Sequence, residues 1–76
     1  MDTHNIHDEK VGFHSNTEEA RSFLEHGVHG EAFRDYLKTA QAEGKAHFTV
    51  PGGQKFTIEH EVGEDGKSNF SVRKHY

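Results

Sequence analysis

The sequence predicts an α+β domain: two short helices on one face of a three-stranded antiparallel meander, in the order α-α-β-β-β, with room for a short N-terminal edge strand. Three observations carry this expectation. The apolar period changes from 3.6 to 2 at Ala46, glycines punctuate the first half where helices should stop, and two glycine-containing loops place the apolar residues of three strands on one face.

Residues 1–10 hold only Met1 and Ile6 as apolar groups and show neither period, so they read as a mobile tail preceding a single domain over 11–76. Val11 and Phe13 alternate around Gly12 and suit the short edge strand. Ser15-Asn16-Thr17-Glu18 has the S-x-x-E pattern in which a hydroxyl and a carboxylate satisfy free amides at a helix start. Ala20, Phe23 and Leu24 then share one face, and Gly27 is the expected left-handed stop, with Val28 folding back toward Phe23. A second helix over Glu31–Glu43 carries the stripe Phe33, Tyr36, Leu37 and Ala40 and ends at Gly44.

The strands follow. Ala46, Phe48 and Val50 alternate with polar residues, as do Phe56, Ile58 and Val62, then Phe70 and Val72. If Pro51-Gly52-Gly53 and Glu64-Asp65-Gly66 are three-residue turns with the last glycine left-handed, Phe48 pairs with Phe56, Ala46 with Ile58, Ile58 with Val72 and His60 with Phe70. His60 then lies on the apolar side, while His47, Thr57 and Arg73 share a row on the polar side. The sheet edges are expected at Ala46–Val50 and at the last strand, Asn69–His75.

Composition narrows the function classes. The chain has 76 residues, no cysteine and a formal charge of −4, so it offers neither disulfide nor thiolate chemistry and little bulk attraction to phosphate. A cytoplasmic setting without membrane contact is the default expectation. Eight histidines are the one compositional extreme; their full protonation would carry the formal charge from −4 to +4. No Ser-His-acid arrangement, phosphate-cradling loop or G-x-S-x-G turn occurs, so the chain reads as no enzyme and as needing no cofactor. Stacking aromatics, Phe or Tyr, are missing from the polar strand face, which disfavours nucleic acid; a basic cluster, Arg73-Lys74-His75, ends the chain and reads as solubility rather than recognition.

What remains is a small protein-binding module or regulator of bacterial or phage type, acting on another protein or as a dimer. Phe13, Phe33 and Tyr36 exceed what two helices must bury on three strands. The expected contact surface is therefore the helix corner, Val28, His29, Phe33 and Tyr36, or a sheet edge. The alternative is binding of nickel, copper or zinc at His26 and His29, three residues apart in that corner, with His4 and His7 as a flexible arm.

Overall fold

In the computed structural model, which describes residues 2–75, a five-stranded mixed sheet carries a helical layer on one face. Strands β1 (Asp2–Ile6) and β2 (Glu9–Phe13) form a hairpin. Helix α1 (Glu18–Ser22) runs into a π turn over Phe23–Gly27, followed by α2 (Gly30–Glu43) and by β3 (Lys45–Thr49), β4 (Lys55–Val62) and β5 (Ser68–Lys74). Strand order across the sheet is β1-β2-β5-β4-β3, with β2 parallel to β5 and all other pairs antiparallel.

The meander has the expected register. Phe48 faces Phe56, Ala46 faces Ile58, Ile58 faces Val72 and His60 faces Phe70. Its turns explain why. Val50 and Gln54 close a three-residue loop through the 3.0 Å bond from Val50 N–H to Gln54 C=O, with Gly52 and Gly53 at φ 108° and 92°. Gly63 and Lys67 close the second loop in the same way, with Gly66 at φ 80°. These conformations cost a residue with a Cβ about 1–2 kcal/mol, so glycine fixes where each strand reverses. Phe48, Phe56, Ile58, Phe70 and Val72 are all buried on one side. Val62 departs from this set: it is 65% exposed at the end of β4, paired only with Ser68.

The N-terminal half corrects the sequence reading. Residues 2–10, expected as a mobile tail, lie in the hairpin, and Ile6 is fully buried. Its two-residue turn, His7-Asp8, takes φ of 49° and 68°, the left-handed pair that matches strand twist and normally calls for Asn-Gly. Val11–Phe13, expected as an edge, is interior, because β2 sits between β1 and β5. The last strand is interior for the same reason, which leaves β1 and β3 as the edges.

The helix boundaries differ as well. Thr17, not Ser15, stands at the start of α1; its hydroxyl donates to His14 C=O at 2.6 Å and caps no helix amide, while Asn16 turns left-handed at φ 63°. Gly27 is not a left-handed stop. The helix ends in a π turn, and Val28 is extended and buried. Glycine is needed at 27 for space, since a Cβ there would lie 2.8 Å from the Phe23 ring. Gly44 behaves as expected, left-handed at φ 87° with its N–H donating to Ala40 C=O at 2.7 Å.

One apolar core spans both layers, from Ile6, Val11 and Phe13 through Leu24, Phe33 and Leu37 to Phe56, Ile58 and Val72. The extra hairpin absorbs the aromatic surplus: Phe13 and Phe33 are buried because the sheet has five strands to cover rather than three.

Candidate functional site

The helix corner is not a surface patch. Val28 and Phe33 are core residues, Tyr36 is half-buried, and only His29 among the four expected contact residues is exposed. An amphipathic stripe on α2 turns inward onto the sheet, and Val28 follows it because the extended linker presses against the same core. His26 is exposed, and its Nε2 lies 3.6 Å from the Glu25 carboxylate. No group of three or more His, Asp or Glu able to hold a metal ion exists among the described residues, so His26 and His29 gain no third ligand.

His4 and His7 are structural rather than a flexible arm. His7 Nε2 donates to the Leu24 carbonyl at 2.9 Å, and its ring lies 5.7 Å from that of Phe33. The carbonyl belongs to the stretch where α1 loosens into the π turn, so an imidazole from the hairpin satisfies a group at the helix end. His4 packs on Phe13 with ring centroids 5.6 Å apart. Arg21 Nη1 lies 3.4 and 3.5 Å from the two nitrogens of His4, a near-equal spacing that fits stacking better than one directed hydrogen bond. His60 is half-buried against Phe70, 5.3 Å between centroids, and its Nε2 is buried without a hydrogen-bond partner.

The edge at β3 is the surface that backbone chemistry leaves unfinished. His60 N–H donates to Gly44 C=O and Val50 N–H to Gln54 C=O, both across the β3–β4 ladder. Because an antiparallel strand alternates the direction of its backbone groups, the even residues Ala46 and Phe48 turn theirs toward β4. Lys45, His47 and Thr49 therefore point N–H and C=O outward, where no strand lies among the described residues. On β1 the tight His7-Asp8 turn makes Ile6–Glu9 the bonded closing pair, and Thr3 and Asn5 are left outward.

Beside β3 lies a stack of rings. Phe48 at its centre is flanked by Phe23 at 6.1 Å, Tyr36 at 5.7 Å and Phe56 at 5.8 Å, all tilted by less than 30°. Phe23 and Tyr36 are half-buried and form the apolar shoulder of the edge. From Phe23 a shallow groove runs past Gly27 and His26 to Val50, Pro51 and His75. Sequence reasoning named Ala46–Val50 as an edge but missed this shoulder; the signal available was Phe23 and Tyr36 at the margins of their helical stripes.

The open face of the sheet is polar. Lys10, Lys45, Lys55 and Arg73 stand there with Glu59 and Glu61, and Arg73 Nη1 donates to Glu59 Oε1 at 3.2 Å. Among the described residues no Phe or Tyr stands on it, and no described helix is long and apolar enough to cross a membrane. Compared with protein-family models, with curated proteins and with solved structures, the chain matches none.

Proposed function

We propose that this chain is a small, non-enzymatic protein-binding module of the cytoplasm that accepts an extended segment of another protein, or of a second copy of itself, along the β3 edge. The carrying observation is the outward backbone of Lys45, His47 and Thr49 beside the half-buried Phe23 and Tyr36. Strand addition draws affinity from main-chain hydrogen bonds and specificity from side chains that alternate between the two faces of the sheet. Here an incoming strand meets Phe23 and Tyr36 on one face, and His47, Thr49 and Lys45 on the other. Charge and short length guard β3 against indiscriminate pairing, with Lys45 at its start, which suits a selective partner.

Proline at an outward-facing amide blocks an incoming strand while sparing the existing ladder, so Thr49→Pro tests the reading. Light scattering across a concentration series, and pull-down with the wild-type chain as bait, should show a dimer or a retained partner that Thr49→Pro abolishes while amide spectra confirm its fold. Retention of the same assembly by folded Thr49→Pro rejects the β3 edge. A wild-type chain that is monomeric and partnerless rejects the function.

A further inference from the structure

His47 and His75 stand on either side of Thr57 on the open face of the sheet. Register sets His47 directly opposite Thr57, and the 3.0 Å bond from His75 N–H to Lys55 C=O holds the chain against β4 past the last paired residue. His47 Nδ1 lies 2.9 Å from Thr57 Oγ1 and His75 Nδ1 lies 3.3 Å from the same oxygen. The rings are 4.6 Å apart, inclined by 60°. Thr57 is only 5% exposed although it faces the polar side.

A threonine oxygen has two lone pairs and can accept from both Nδ1–H groups at once. In that arrangement each neutral imidazole keeps its proton on Nδ1 and presents a lone pair on Nε2, the form that ligates a metal. With both rings donating, the hydroxyl would act on two rings as an outer-shell acceptor acts on one, fixing tautomer and orientation together.

We infer that His47 and His75 form a two-histidine binding site for a borderline divalent cation, zinc, nickel or copper, with Thr57 as the positioning residue and solvent completing the coordination. Two protein ligands make an exchangeable site rather than a structural one. The charged groups sharing this face are Lys10, Lys45, Lys55 and Arg73 with Glu59 and Glu61; Arg73 is held by Glu59, and Lys45 and Lys55, on the same two strands as His47 and Thr57, weaken attraction for a cation. Affinity should follow the order copper above nickel and zinc. The inference is independent of strand addition, since it uses side chains on the face rather than the backbone of the edge.

The test is calorimetric titration of the full chain with zinc and nickel chloride, together with imidazole nitrogen spectra. His47 and His75 should respond at lower metal than the other histidines, and His47→Ala should lower affinity at least about tenfold. Thr57→Val keeps both ligands and should lower affinity about tenfold, the scale on which outer-shell partners act. Thr57→Ser, which restores the hydroxyl, should bind as wild type, as should Thr49→Pro and the doubly substituted His26→Ala/His29→Ala. Wild-type affinity in Thr57→Val, or an equal loss from removing His26 and His29, would mean indiscriminate binding by surface histidines and overturn the site. Failure of Thr57→Ser to bind would overturn the role given to the hydroxyl.

Discussion

The β1–β2 hairpin and the β3–β5 meander belong to one sheet but are held by different means. In the meander, Phe48, Phe56, Ile58, Phe70 and Val72 supply a continuous apolar face, and glycines at positive φ set both reversals. The hairpin contributes Ile6, Val11 and Phe13 to the core, and its turn is made by two residues with side chains, His7 and Asp8, in left-handed backbone. What compensates is tertiary: the parallel ladder of β2 on β5, the His7–Leu24 bond and the packing of His4 on Phe13. A segment can thus be ordered with little local preference for its shape, provided the rest of the molecule offers an apolar hole and a waiting carbonyl.

This contrast breaks most severely from the meander side. Ile58 is fully buried at the centre of β4, paired with both Ala46 and Val72. Ile58→Ala should cost about 2–5 kcal/mol, the range for truncating a buried aliphatic residue. For a domain of this size that removes much of the stability, so urea unfolding should show one cooperative transition at a far lower midpoint.

A smaller and more local effect is expected from His7→Ala. It leaves the Leu24 carbonyl without its donor and empties the space beside Phe33, at a cost of about 1–3 kcal/mol. Hydrogen exchange should quicken in β1, in the turn and in the Phe23–Gly27 segment, while amides of β4 keep their protection. Uniform acceleration across the sheet would show that hairpin and meander open as one unit and erase the distinction.

The smallest effect runs the other way. Asp8 is exposed with φ 68°, a conformation that glycine adopts freely, so Asp8→Gly should stabilise the chain by up to about 1 kcal/mol. Thermal melting checks this. A loss of stability would indicate that the aspartate side chain supports the turn.

How much of this was legible depends on whether the signal was local. The Pro51–Gly53 and Glu64–Gly66 turns, the register of β3 with β4 and β5, the Gly44 stop and the placement of His60 against Phe70 could all be read from glycine positions and a period of two. The hairpin was not legible, because Asp2–Phe13 has few apolar residues and His4 occupies an inward position that looks polar in sequence. Without that hairpin the aromatic count exceeds what two helices can bury, and the sequence alone puts Val28 and Phe33 on a surface they do not reach. The β3 edge and the His47–Thr57 row were within reach of register alone. The approach of His75 to Thr57 was not, since it lies beyond the last ladder pair.

By itself, then, the sequence determined an α+β chain, the meander and its register, and the sides on which the strand residues of its second half stand, because alternation and glycine turns act over a few residues. Tertiary structure alone decided that Asp2–Ile6 and Glu9–Phe13 join the sheet, that β2 lies parallel to β5 so that the last strand is interior, and that the helix corner is core. Those outcomes depend on contacts between residues far apart in the chain, where the free energy comes from filling a shared core and no local pattern records it.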